Sequence, residues 1–111
     1  MAGERDITPE RAEELREGGA QLIDVREDHE WDAGRIGGAR HLVLGEVAAQ
    51  ASTIDQERPV VFYCRVGSRS AMAADAFRRG GYEAYSLAGG LEAWAGEGRP
   101  LEPDDGTVAD H

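Results

Sequence analysis

Residues 60–70 join a short apolar run to a polar loop. In full they read Val60-Val61-Phe62-Tyr63-Cys64-Arg65-Val66-Gly67-Ser68-Arg69-Ser70. The apolar run is short and β-prone, which is typical of a strand buried on both faces of a sheet. The loop carries the only cysteine of the chain, and residues 71–77 after it follow a helical pattern. We therefore predict a strand, a loop and a helix in this order.

The loop between this strand and this helix is a candidate anion site. Backbone N–H groups at a helix N-terminus are unpaired and converge, and the helix dipole adds to their preference for negative charge. A thiolate placed there is stabilised and becomes a nucleophile at neutral pH, so Cys64 is the candidate catalytic residue. The alternative is that Cys64 is a small buried hydrophobic residue. Its position at a strand end, where open α/β sheets bind ligands, favours the catalytic interpretation.

Three stretches of the sequence resemble the motifs of one known family. Residues 64–70, 22–39 and 87–94 are similar to the active-site loop, the upstream motif and the closing motif of the rhodanese family of sulfurtransferases. The resemblance extends from about Ile7 to about Pro100. It implies a rhodanese-like α/β fold with a central parallel sheet and helices on both faces. The alternation of predicted strands and helices independently favours the same fold class.

The resemblance also implies the roles of the site residues. Cys64 would take up sulfur as a persulfide, and Asp24 and Arg26 would lie beside its loop and support it. The anion-binding loop itself would consist of Arg65, Val66, Gly67, Ser68, Arg69 and Ser70. From the residues alone, Asp24 has a second interpretation as half of a buried ion pair that holds the fold. Arg26 either helps to bind an anionic substrate or forms a salt bridge with Glu30.

Some positions depart from the family pattern. Arg35 and Gly37 stand where family members usually have histidine and proline, and glycine in place of proline loosens the turn. Val66 stands where thiosulfate-using members often carry a second basic residue, which predicts weak turnover of thiosulfate. We expect no cofactor, and His29 and His41 are too isolated in the sequence to indicate a metal site.

Length and charge restrict the class of protein further. The 111 residues suffice for one domain, and we predict a domain over residues 1–100 with an acidic, flexible C-terminal tail over 101–111. The net charge is −10, from 22 acidic residues and 12 arginines, without any lysine. This balance disfavours nucleic acid and anionic membranes as partners. Because the rest of the protein is negatively charged, Arg65 and Arg69 are predicted to make the loop a local site of positive charge.

The remaining features concern compartment and assembly. No apolar run approaches the ~20 residues of a membrane-spanning helix, and the charged N-terminus lacks the apolar segment of a secretory leader. A single cysteine cannot form an internal disulfide, so the reducing cytoplasm is the expected compartment. We expect a monomer.

The local signals along the chain predict the other elements. Thr8 and Pro9 begin a helix that ends at residues 18–19, and residues 21–25 form a buried strand. Asp28 is predicted to cap a short helix in which Trp31 packs against the core. Residues 45–51 are predicted as a helix and residues 83–87 as a strand. A turn at residues 89–90 leads into a helix whose Trp94 is expected in the core.

Three functions remain open at this level. The first is an enzyme that moves sulfane sulfur from thiosulfate or a persulfide to an external thiol, cyanide or a sulfur-accepting protein, because no second cysteine can accept the sulfur internally. The second is a related cysteine phosphatase or arsenate reductase, whose loop is similar but one residue longer. The third is a non-enzymatic binding or regulatory module, since a shared fold does not fix function.

Overall fold

The computed structural model describes residues 4–110 of the chain. Its strands are β1 (Asp6–Ile7), β2 (Gln21–Asp24), β3 (Arg40–His41), β4 (Val60–Tyr63) and β5 (Ala84–Leu87). Its helices are α1 (Pro9–Glu17), α2 (Asp28–Ala33), α3 (Leu44–Val47), α4 (Ser68–Arg79) and α5 (Gly90–Gly96), with a 3-10 turn at Ala51–Thr53. The described residues leave out residues 1–3 and His111. Residues 1–3 belong to the N-terminus that we expected to lack a secretory leader, and His111 belongs to the predicted tail.

The five strands form one parallel sheet in the order β1-β5-β4-β2-β3. β4 lies at its centre, and all four of its residues are buried. Alternate residues of β4 enter two separate apolar cores, because successive side chains of a strand point to opposite faces. Phe62 packs with Phe77 of α4 on one face, and Tyr63 packs with Trp94 of α5 on the other. The predicted α/β fold with helices on both faces of a parallel sheet is confirmed.

Local capping explains where the first helices begin. The Thr8 hydroxyl accepts a hydrogen bond from the Arg11 N–H at 3.1 Å, and α1 ends before Gly18, as predicted. The prediction that Asp28 caps α2 is wrong. Glu27 is the cap, in a capping box with Glu30, whose side chain accepts from the Glu27 N–H at 3.0 Å. Two glutamates spaced by three residues accept hydrogen bonds from two otherwise unpaired backbone N–H groups, those of Glu30 and Glu27, which Asp28 alone cannot do.

Two further predictions need correction. The helix expected over residues 45–51 is the shorter α3, and the chain then forms the 3-10 turn, which leads to the buried Ile54. Trp31 is only half-buried and belongs to neither apolar core. Its ring stacks on His41 at 4.8 Å between centroids, and the Arg35 guanidinium lies over it at 4.9 Å. These polar neighbours keep the indole near the surface. Trp94, by contrast, is 1% exposed, as predicted.

The C-terminal segment contacts the domain. Arg35 and Glu102 exchange two backbone hydrogen bonds of 2.9 and 2.7 Å, and the Thr107 N–H donates to the carbonyl of Ala33 at 2.8 Å. Val108 packs against the core that contains Trp94. The division at residue 100 and the flexibility of the tail stay predictions, although these contacts attach residues 101–108 to the rest of the fold. Within residues 4–110, no helix combines the length and apolar character needed to cross a bilayer.

Candidate active site

Cys64 follows β4 directly, at the carboxyl end of the central strand. Its side chain is buried, and its Sγ accepts hydrogen bonds from the Gly67 N–H at 3.1 Å and from the Ser70 N–H at 3.4 Å. The Ser70 Oγ lies 3.5 Å from the same sulfur. Gly67 has a φ of 113°, in the left-handed region where glycine carries little strain. This conformation turns the loop back into α4, so that its N–H groups converge on the sulfur.

These contacts shift the thiol towards its anionic form. Burial acts in the opposite direction and raises the pKa of Cys64, but the hydrogen bonds from the Ser70 hydroxyl and from the Ser70, Gly67 and Val66 N–H groups lower it. The net direction is a pKa below the ordinary value of a cysteine thiol. The N-terminus of α4, a helix of 12 residues, adds its dipole to this effect. The surroundings of Cys64 therefore favour its thiolate form.

Alkylation measures this pKa directly. We expect the rate of Cys64 alkylation by iodoacetamide to rise with pH around a midpoint below the value of about 8.5 for free cysteine. The lowered pKa also means that the thiolate stabilises the fold above the free-cysteine pKa, and that this contribution is lost as the pH falls through the folded-state pKa. Glutathione in the same buffers is the control. A midpoint at or above that of glutathione would contradict the stabilisation by the loop donors.

Arg69 does not present a free positive charge to the sulfur. Its Nη1 and Nη2 atoms bond the two carboxylate oxygens of Glu30 at 2.8 and 2.9 Å, and Glu30 is fully buried. The hydrogen bonds that Arg69 donates to Glu30 raise the pKa of Arg69 above its usual value. Burial raises the pKa of Glu30, but the hydrogen bonds from Arg69 and Glu27 outweigh it, so the net shift is downward. This bidentate pair ties α2 to the first turn of α4.

Arg65 is also paired with carboxylates. Its Nη2 lies 2.8 Å from Glu92 of α5 and 3.1 Å from Asp110. The prediction that Arg65 and Arg69 make the loop electropositive is therefore wrong. The chain has nearly twice as many acids as bases, and carboxylates engage both arginines of the loop. The affinity of the loop for an anion rests on N–H groups and the helix dipole instead.

Asp24 and Arg26 form the buried ion pair that the sequence left open. Both side chains are fully buried, and the Arg26 Nε and Nη2 atoms lie 2.9 and 2.6 Å from the Asp24 carboxylate. Arg26 also donates to the carbonyl of Gly34 at 2.7 Å. The salt bridge considered between Arg26 and Glu30 does not form, because Asp24 is the nearer partner. The pair fixes the end of β2 next to β4, where Asp24 is in register with Tyr63.

The closing motif holds the catalytic loop from the other side. The Leu91 and Glu92 N–H groups, at the start of α5, donate to the carbonyls of Cys64 and Arg65 at 2.8 and 3.1 Å. With these carbonyls directed towards α5, the N–H groups of the loop are left for the sulfur. Gly90 makes the approach possible, since a Cβ atom there would lie 2.4 Å from the Arg65 oxygen.

Sequence reasoning missed Glu30 and Gly90 as parts of the site. The spacing of Glu27 and Glu30 is that of a capping box, which fixes the Glu30 side chain and was the available signal. The predicted loop residues do lie together around Cys64, and the N–H groups of Gly67 and Ser70 lie 3.1 and 3.4 Å from the sulfur. Ser68 lies at the exposed first turn of α4.

The fold and the site define an α/β protein with one buried cysteine at the carboxyl end of its central strand, whose sulfur accepts hydrogen bonds from backbone N–H groups. The chain belongs to the rhodanese-like domain family, whose sequence model matches residues 8–97. It is similar to the protein named thiosulfate sulfurtransferase GlpE of Pseudomonas aeruginosa (strain LESB58), with 40% identity over 89 residues that cover 79% of this chain and 81% of the relative. The chain is thus thiosulfate sulfurtransferase-like, and the resemblance to the rhodanese family is confirmed.

Solved structures agree on the fold. A rhodanese-related protein from Thermoplasma volcanium superposes with a TM-score of 0.82 at 24% identity, over 88% of this chain and 97% of that protein. A second structure, from Rhodopseudomonas palustris CGA009, has a TM-score of 0.74 at 27% identity, over 88% of this chain and 84% of that protein. That protein is described as one of unknown function and a possible tyrosine phosphatase.

Proposed function

We propose that the chain is a sulfurtransferase that moves sulfane sulfur through a persulfide on Cys64. The observation that carries the proposal is the set of donors around Sγ, at 3.1 Å from Gly67 and 3.4 Å from the Ser70 N–H. These donors suit a single negatively charged sulfur atom, whether it belongs to the thiolate or to the end of a persulfide. The relatives named thiosulfate sulfurtransferases support the same activity.

The reaction balances as two displacements at sulfur. The Cys64 thiolate attacks the outer sulfur of thiosulfate, a new S–S bond forms, and sulfite leaves with the electron pair of the broken bond. An acceptor thiolate or cyanide then attacks the terminal sulfur and releases the Cys64 thiolate. Because Cys64 is the only cysteine, the acceptor comes from outside the chain, as a small thiol, cyanide or a sulfur-accepting protein. We also propose a cytoplasmic location, because a thiol that must stay reduced suits a reducing compartment, and a monomeric protein.

The donor follows from the charges around the loop. Thiosulfate carries a sulfonate group that favours free cations, but Arg65 and Arg69 are both engaged by carboxylates. Val66 adds no charge at the position where a second basic residue is often found in thiosulfate-using members. A persulfide donor needs no such cation at this position. We therefore propose that thiosulfate is a slow donor and that a small-molecule persulfide is a faster one.

A phosphatase is the competing function, because one similar structure is described as a possible tyrosine phosphatase. Two features of this chain disfavour it. Four residues separate Cys64 from Arg69, one fewer than in cysteine phosphatases. The Arg69 guanidinium is also held by both oxygens of Glu30 and is not free to bind phosphoryl oxygens.

One pair of assays decides between these two functions. On incubation with thiosulfate or a glutathione persulfide, the intact mass is expected to rise by one sulfur atom and to fall back when cyanide is added. Hydrolysis of p-nitrophenyl phosphate is expected to stay at the level of a protein-free control. Prior alkylation of Cys64 should prevent the gain in mass. Cys64-dependent hydrolysis of the phosphate ester without any sulfur uptake would overturn the proposal.

A further inference from the structure

Ser86 connects the neighbouring strand to the catalytic sulfur through one other side chain. It lies in β5 and is 1% exposed, with its Oγ 2.7 Å from the Oγ of Ser70. The Ser70 Oγ in turn lies 3.5 Å from the Sγ of Cys64. We propose that Ser86 is a positioning residue for sulfur transfer, which directs the hydroxyl proton of Ser70 onto the negatively charged sulfur of Cys64. This inference rests on the proposed function, since it concerns the same sulfur.

The assignment follows from counting protons. The Ser70 hydroxyl has one proton and three acceptors within reach, namely the Cys64 sulfur at 3.5 Å, the Ser86 oxygen at 2.7 Å and the Gly67 carbonyl at 3.2 Å. The short contact between the two serines uses one proton, which comes from either hydroxyl. If Ser86 donates it, the Ser70 proton stays available for the sulfur. If Ser70 donates it, the sulfur receives nothing from Ser70.

The charge on the sulfur selects the first arrangement. A hydrogen bond to an anion is roughly twice as strong as one between neutral groups. The alternative for Ser86 is to donate to the Gly67 carbonyl at 3.5 Å, at the limit of hydrogen bonding. A Ser70 hydroxyl that accepts a hydrogen bond from Ser86 is also a stronger donor, because bonds in a chain polarise one another. The thiolate and the persulfide are both anions, so the hydrogen bonds from Ser86 to Ser70 and from Ser70 to the sulfur stabilise both.

When the thiol is protonated, the hydrogen bonds between Cys64, Ser70 and Ser86 run in the opposite direction. A neutral S–H group donates a hydrogen bond to the Ser70 oxygen, and the Ser70 hydroxyl then donates its own hydrogen bond to the Ser86 oxygen or to the Gly67 carbonyl. No atom moves by more than a hydroxyl rotation. Ser86 also lines a cavity of about 260 Å³ whose other walls include Arg5, Asp6 and residues 66–68. A change at Ser86 is therefore accommodated beside this cavity without displacing the apolar core.

The other charged groups around the thiol stay constant in the test. They are the Arg69–Glu30 pair of α4 and α2, the Asp24–Arg26 pair at the end of β2, and Arg65 with its partners Glu92 and Asp110. None of them contacts Ser86 in the described hydrogen bonds and ion pairs. A shift in the titration of Cys64 when Ser86 is changed therefore measures the effect of the hydrogen bonds that link Ser86, Ser70 and Cys64.

The first test is Ser86→Ala in the full chain. We expect iodoacetamide alkylation of Cys64, measured below its midpoint pH, to slow by about two- to fourfold, while the limiting rate at high pH is unchanged. Ser86→Thr keeps the Oγ atom and is expected to restore the wild-type profile. Ser52→Ala, at an exposed serine of the 3-10 turn, is the matched control and should leave the profile unchanged. An unchanged profile in Ser86→Ala would overturn the proposal.

A double-mutant cycle separates positioning from a general structural role. Ser86 acts only through Ser70, so Ser86→Ala is expected to have no further effect on the alkylation profile once Ser70 is alanine. If the two effects add, Ser86 acts on the site by another route and the inference fails. The kcat for sulfur transfer should follow the same pattern, with KM for the donor unchanged.

A measurement on the wild-type protein covers the case in which a variant does not fold. The buried hydroxyl proton of Ser70 is expected to shift downfield in the NMR spectrum when Cys64 is deprotonated, and the Ser86 proton to gain a contact with the Ser70 oxygen. Unchanged hydroxyl signals across the titration would refute the chain. These readouts need no sulfur donor, so their failure is distinguishable from a failure of sulfur uptake.

Discussion

Replacing Cys64 with serine is expected to lower sulfur transfer by on the order of a thousandfold or more. A serine hydroxyl at neutral pH is almost entirely protonated, whereas the loop donors lower the pKa of the Cys64 thiol and so favour its anionic form. Production of thiocyanate from thiosulfate or a persulfide and cyanide is the measurement, with intact mass as the second readout. The variant should show neither turnover nor a gain of sulfur.

The controls for this variant concern the fold. Serine is close to cysteine in size, so the thermal unfolding midpoint should change by only a few degrees. Wild-type protein alkylated at Cys64 should match the variant in activity, because the chain has no other thiol. A Cys64→Ser protein that still takes up sulfur would show that the nucleophile lies elsewhere.

The second large effect is expected for Gly90→Ala, which changes one hydrogen to a methyl group. The new Cβ would lie 2.4 Å from the Arg65 oxygen and 2.5 Å from the Cys64 oxygen, and both are backbone atoms that cannot rotate away. Gly90 also has a φ of 59°, which costs further energy for alanine. We expect a loss of at least about 3 kcal/mol in the free energy of unfolding, measured by urea denaturation.

The same change should damage the site. Moving α5 away from the loop lengthens the hydrogen bonds from the Leu91 and Glu92 N–H groups to the Cys64 and Arg65 carbonyls. Sulfur uptake should therefore fall even under conditions where the variant is folded, since a displacement of about 1 Å costs roughly a hundredfold in rate. Gly96→Ala is the matched control in the same helix, because a Cβ there meets nothing within 4 Å. It should be neutral or slightly stabilising. Equal stability of the two variants would contradict the close-approach argument.

Much of the fold follows from local features of the sequence. The apolar run that becomes β4, the Thr8 cap and the glycines after α1 and α4 act within a few residues of their own position. Such local features can be recognised from the sequence, because the backbone conformation that they favour does not depend on distant partners. The helix predicted over residues 45–51 failed for the complementary reason. There the burial of Ile54, a tertiary requirement, outweighs helical propensity.

The sequence by itself also indicated the candidate nucleophile and the elements on both sides of it. Cys64 is the only thiol, and its place between a buried strand and a helix puts it among unpaired N–H groups. Only the tertiary structure decided the charge of the loop. Arg69 meets Glu30 across 39 residues of sequence, and Arg65 meets Glu92 across the contact with α5. In a chain with 22 acidic residues, the partner of each arginine depends on which carboxylate the fold brings within about 4 Å, and composition cannot specify that.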